Sequence, residues 1–112
     1  MRISVSPDAK RDLLEIDHET ADRFGEAQAI RLADEFGVAF RRLLQSPDIG
    51  RARPELSKLE PPIRAWHVSD SFVVLYRRVE IGVQVMRVFH HARDVDSLFP
   101  DTIGTDEDRD RD

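Results

Sequence analysis

The feature that most constrains this chain is a change of hydrophobic period. Up to about residue 44, apolar side chains recur every third or fourth position; from residue 63 to 89 they alternate or cluster as β-branched and aromatic runs. Ser6-Pro7-Asp8 is a helix start, with Ser6 as N-cap, Pro7 in the first turn and Asp8 at the positive end of the dipole. Ala9, Leu13, Ile16, Thr20 and Phe24 then fall on one helical face, and Gly25 closes the helix. A second helix is predicted over Glu26–Leu44, with Ala29, Ala33, Phe36, Phe40 and Leu43 as its apolar stripe. So short a turn between them makes an antiparallel hairpin.

Strands are predicted at Arg2–Ser6, Ile63–Val68, Phe72–Val79 and Val83–Phe89. Ser69-Asp70-Ser71 is the first turn, and Glu80-Ile81-Gly82 a three-residue hairpin loop with Gly at a left-handed position. Gln45–Pro62 is loop, and a helical turn is expected at Val95–Phe99. The order is α+β: an N-terminal strand, then an antiparallel helical hairpin packed on a mainly antiparallel sheet of three to four strands. One domain over residues 1–100 is expected, and the acidic, low-complexity stretch 101–112 reads as a disordered tail.

Charge is segregated. Residues 1–48 carry seven basic and ten acidic side chains, residues 49–93 eight and four, and residues 94–112 two and eight. The middle is a basic surface in an acidic molecule, so an anionic partner belongs there. Fifteen of the 17 cations are arginine, suited to bidentate contacts with carboxylate or phosphate. With no cysteine, disulfide scaffolds, thiolate zinc and thiol catalysis are excluded. No run approaches the roughly 18 apolar residues of a membrane span, and the first residues lack a signal-peptide pattern, so a cytoplasmic protein is the expectation.

If Val79 and Val83 flank the hairpin loop, Arg77 faces Val85 and Leu75 faces Arg87, and the two arginines become diagonal neighbours on one sheet face. Arg64 joins them if the turn before Phe72 has two residues, and lies on the other face if it has three. His90 and His91 end the last predicted strand; either could act as general acid or base beside arginines that stabilise a phosphorane, yet adjacent strand residues face opposite ways. His90-His91 followed by Asp94 has no metal-ligand spacing, and neither metal nor cofactor is expected. Trp66 and Phe89 are aromatic candidates for core or for a partner groove.

Ser6-Pro7-Asp8-Ala9, Ser46-Pro47-Asp48-Ile49-Gly50-Arg51, Arg53-Pro54-Glu55-Leu56, Ile63-Arg64, Leu75-Tyr76-Arg77 and Val85-Met86-Arg87-Val88-Phe89-His90-His91-Ala92-Arg93-Asp94 stand in an order and spacing that resemble the ParE toxins of the RelE/ParE superfamily. The resemblance spans residues 3–99. It implies the toxin of a bacterial type II toxin–antitoxin pair, poisoning DNA gyrase without being an enzyme, neutralised by a cognate ParD-like antitoxin and forming an oligomer with it. Sequence-specific nucleic-acid binding by the chain alone is not expected of so acidic a molecule. The alternatives are a ribosome-dependent mRNA endonuclease of the RelE branch, or an inactive homologue that only binds antitoxin. The lysine-rich cleft of the RelE branch is not matched, since Lys10 and Lys58 are the only lysines. The Ser69–Ser71 turn is a residue longer than the glycine-containing turn usual in the family, His91 stands where glycine is common, and the acidic tail lies outside the pattern. Arg53, Arg64, Trp66, Arg77, Arg87, Phe89, His90 and Arg93 are the expected target- or antitoxin-binding residues. Arg64, Arg77, Arg87, His90 and His91 would be the catalytic set of a nuclease.

Overall fold

The computed structural model describes residues 1–58 and 60–91. In chain order these form β1 (Arg2–Val5), α1 (Pro7–Phe24), α2 (Glu26–Gln45), β2 (Arg51–Ala52), a single 3-10 turn at Pro54–Leu56, β3 (Arg64–Val68), β4 (Phe72–Val79) and β5 (Gly82–His90). The expected helical turn at Val95–Phe99, Arg93 and the acidic tail lie outside the described residues. One mixed sheet has the order β1-β5-β4-β3-β2, antiparallel except for β1, which runs parallel to β5.

The start of α1 follows its sequence signal: Ser6 Oγ accepts a hydrogen bond from the Ala9 N–H at 3.0 Å. The same hydroxyl donates to the Met86 carbonyl at 2.8 Å, tying the cap to β5. The α2 seam differs from its predicted stripe. Ala29, Leu32, Phe36, Ala39 and Leu43 are buried, Phe40 is half-buried and Ala33 is exposed. Both stripes alternate spacings of three and four, and the one carrying Leu32 removes more apolar surface from water than the one carrying Ala33. Phe24, predicted on the α1 face, is 69% exposed at the helix end.

The helices cover one sheet face. Val74, Tyr76, Val83, Val85 and Val88 meet Ala9, Leu32, Phe36 and Leu43 there. The opposite face carries a second cluster of Leu56, Ile63, Ala65, Val73, Leu75 and Phe89. Two expectations of register are corrected. The β4–β5 loop holds two residues, Glu80 and Ile81, with Val79 opposite Gly82, so Arg77 faces Gln84 rather than Val85. Further along, Leu75 faces Arg87 as expected, but Tyr76 faces Val85, and Met86 is left unopposed in a bulge. An extra residue reverses strand parity, which is how Val85 and Val88, three apart, both face the helices.

The fifth strand, β2, was not predicted; it is two residues long. The β3–β4 turn has three residues, with Val68 opposite Phe72, so Arg64 sits opposite Tyr76 on the helix side, away from Arg77. Ser69 and Asp70 take φ values of 58° and 62°, the left-handed region in which glycine is the usual occupant. Gly82 has φ +146°, and a Cβ there would lie 2.2 Å from the Arg2 carbonyl oxygen, so glycine lets β1 close onto β5.

Candidate functional site

Two anchors organise the arginines, and both rest on residues that the sequence reading passed over. The first is Asp12, which shares the α1 face with Ala9 and Ile16. It is buried. Its carboxylate accepts from Arg87 Nε at 2.8 Å, from Arg87 NH2 at 3.0 Å and from the Val88 N–H at 2.9 Å. A bidentate fork and a backbone donor thus meet one carboxylate beside the β5 bulge. The hydrogen bonds that Arg87 donates to Asp12 hold its guanidinium above its ordinary pKa against partial burial. The available signal was a carboxylate inside an apolar helical stripe, since such a group is buried only with a partner.

The second anchor is Tyr76, fully buried. Its hydroxyl accepts from the Gly50 N–H at 2.8 Å and donates to the Pro47 carbonyl at 2.8 Å. Arg64 donates to the Gly50 carbonyl at 2.8 Å and reaches Asp48 at 3.7 Å, while Arg78 approaches the same carboxylate at 3.5 Å. A Cβ on Gly50 would stand 2.6 Å from the Tyr76 hydroxyl and 2.8 Å from the Ala65 carbonyl. The 46–51 segment is therefore a scaffold fastened to the sheet. Burial raises the Tyr76 hydroxyl pKa above its ordinary 10.0 despite the hydrogen bond with Gly50.

The remaining candidates are dispersed. Arg53 is hydrogen-bonded to Glu55. Partial burial alone would raise the Glu55 carboxyl, but the hydrogen bond and charge of Arg53, with Arg51 nearby, hold it below the usual carboxylate range. Arg77 is half-buried, and its Nε has no hydrogen-bond partner among the described residues. Phe89 is core on the sheet face away from the helices, and Trp66 is half-buried against the helix-side core. His90 is exposed at the end of β5, edge-on to Phe72 with ring centres 5.5 Å apart and stacked on His91 at 5.2 Å. Arg64 lies opposite Tyr76 and His90 opposite Phe72, four residues apart along β4, or about 13 Å at strand rise. The expected cluster of Arg64, Arg77, Arg87 and His90 is thus not assembled. Among the described residues no group of three or more His, Asp or Glu could hold a metal ion. Among the described residues no helix is long and apolar enough to cross a membrane.

A concavity of about 660 Å³ opens between α1, the first half of α2 and the β3–β4 turn. Ile16, Leu32 and Phe72 supply its apolar wall, Glu15 and Glu19 an acidic rim that Arg23 interrupts, and His90 one end. An acid-rimmed apolar groove suits an amphipathic segment carrying cations.

A helical hairpin on one face of a mixed five-stranded sheet, with arginines bound to carboxylates of the same chain, defines a small α+β domain. A family model described as "ParE toxin of type II toxin-antitoxin system, parDE" matches residues 3–95, and the chain belongs to that family. Among solved structures it is similar to a chain of the "Chromosomal ParDE TA system from P. aeruginosa", with a TM-score of 0.65 and 20% sequence identity over 80% of this chain and 95% of that one. No curated protein matches by sequence.

Proposed function

We propose that this ParE-family toxin arrests growth by binding DNA gyrase and trapping it on cleaved DNA, acting in the cytoplasm as a single domain over residues 1–100 with an acidic appendage at 101–112. A ParD-like antitoxin neutralises it by laying an amphipathic segment into the groove beside Glu15 and Glu19. The observation that carries the choice of target is the engagement of the arginines. A nuclease needs guanidinium groups converging on one phosphate beside a general base. Here Arg87 is held by Asp12 and Arg64 by Gly50 and Asp48, with His90 at the end of β5, four strand positions from Arg64. The pairing of toxin and antitoxin named for the P. aeruginosa system supports the ParD-like partner.

The test is induction in cells together with a supercoiling assay on purified gyrase. Loss of supercoiling, accumulation of cleaved DNA and intact mRNA are expected. Codon-biased mRNA cleavage with normal supercoiling overturns the reading. An inert chain that still binds antitoxin overturns it in favour of a retired toxin. His90→Ala should leave toxicity within a few-fold of the parent, since a binding surface loses one contact of about 1 kcal/mol, whereas removing a general acid or base costs about 100-fold or more.

A further inference from the structure

The edge of the sheet beside α2 is unfinished. In an antiparallel pair, successive residues turn their N–H and C=O groups alternately toward one neighbour and the other. The Arg53 N–H donates to the Ile63 carbonyl at 2.8 Å, and Arg51 lies opposite Ala65. The next residue of β3 to face that side is His67. However, β2 begins at Arg51, and the chain before it turns to the helix side, where the Gly50 N–H meets Tyr76. Among the described residues no strand pairs with Trp66–Val68 on this edge. An edge with unpaired backbone groups is a template for another strand.

α2 runs alongside, separated from β3 by a cavity of about 350 Å³ that Asp34, Glu35, Val38 and Arg42 line from the helix and Trp66 and His67 from the strand. Val38 is 54% exposed. Asp34 and Glu35 stand a turn before it and Arg42 a turn after it, and none of the three has an ion-pair partner among the described residues. Asp34 and Arg42 are about 12 Å apart along the axis, too far to pair within the helix.

This arrangement is self-complementary. A two-fold axis passing beside Val38 and His67 would set two α2 helices antiparallel, bring each Arg42 against Asp34 and Glu35 of the other copy, and pair the two β3 edges about His67. We infer that the partner of this edge is a second copy of this chain, joined by β3–β3 pairing and α2–α2 packing. The repetition of each contact as its own inverse is the property of an isologous interface. A foreign strand needs only the open edge and gives no reason for opposite charges placed symmetrically about Val38. The inference stands whichever target the toxin acts on.

Sedimentation of the purified full chain over a concentration series tests it. A reversible monomer–dimer equilibrium is expected. Arg42→Glu alone, or Asp34→Arg with Glu35→Arg, should weaken self-association about tenfold or more, because like charges then oppose across the axis. Combining all three substitutions in one chain should restore the dimer, and mixing the two singly reversed chains should give a heterodimer. Val38→Asp, placing two carboxylates on the axis, should give monomer, with circular dichroism confirming the fold; if that variant does not fold, the charge reversals carry the test. A chain that is monomeric throughout, a dimer insensitive to every variant, or a triple reversal that fails to restore association overturns the inference. So does an edge filled only when antitoxin is added, which assigns it to that partner.

Discussion

Arg87 and Arg64 lie in the same cationic third of the chain, yet they are fastened in contrasting ways. Arg87 reaches a carboxylate on α1 that is itself only 10% exposed, and the Val88 N–H depends on the same acceptor. Arg64 reaches backbone carbonyls of the 47–50 loop and, more loosely, an Asp48 side chain that is 63% exposed. Removing Asp12 from the first anchor takes the bidentate acceptor from Arg87 and the acceptor from the Val88 N–H in a poorly hydrated site. In the second, water replaces Asp48 readily. Arginines that look interchangeable in the sequence therefore differ in what depends on them, and the reason is the exposure of the partner rather than of the arginine.

The comparison breaks first at Asp12. Asp12→Ala should cost about 3–5 kcal/mol in a urea or thermal unfolding measurement, because it removes the bidentate acceptor of a partly buried guanidinium and the acceptor of the buried Val88 N–H together. A cost below about 1 kcal/mol would show that solvent reaches Arg87 and that the two anchors are equivalent. Toxicity lost through Arg87→Ala should then track loss of fold, to be separated by assaying soluble, folded protein. Next comes Gly50→Ala, expected to cost about 1–3 kcal/mol by forcing the loop away from Tyr76.

Tyr76→Phe should cost about 1–3 kcal/mol by leaving the Gly50 N–H without an acceptor. It also carries a pH signature. The folded pKa of Tyr76 is raised above its ordinary 10.0, first by burial, so its contribution is fully present below pH 10.0 and is lost as pH rises through the folded value. Stability of the parent should fall more steeply than that of Tyr76→Phe above pH 10.0, read from melting temperatures across the alkaline range. The smallest effect belongs to Arg78→Ala, whose exposed contact with Asp48 should be worth at most about 1 kcal/mol and should weaken further in high salt.

Much of this fold was legible along the chain. The Ser6 cap, the two helices, the turn at Ser69–Ser71 and the three long strands are local events, governed by capping, period and β-branching within a few residues. The family resemblance also rode on ordered local segments. The site was far less legible. Arg87 and Asp12 are separated by 75 positions, and no local preference couples them. Strand β2 was missed because two residues carry no period at all.

By itself, the sequence determined which of the long segments are helix and which are strand, and that the arginines gather in the middle of the chain. Only the tertiary structure decided which way those arginines point. Strand faces follow a parity that any added residue reverses: the unopposed Met86 and the two-residue loop at Glu80-Ile81 set the register of β5, and the three-residue turn sends Arg64 to the helix side. Such insertions are settled by which partners meet across the sheet and by what α1 places beside β5, and these are properties of packing, to which a one-dimensional pattern is blind.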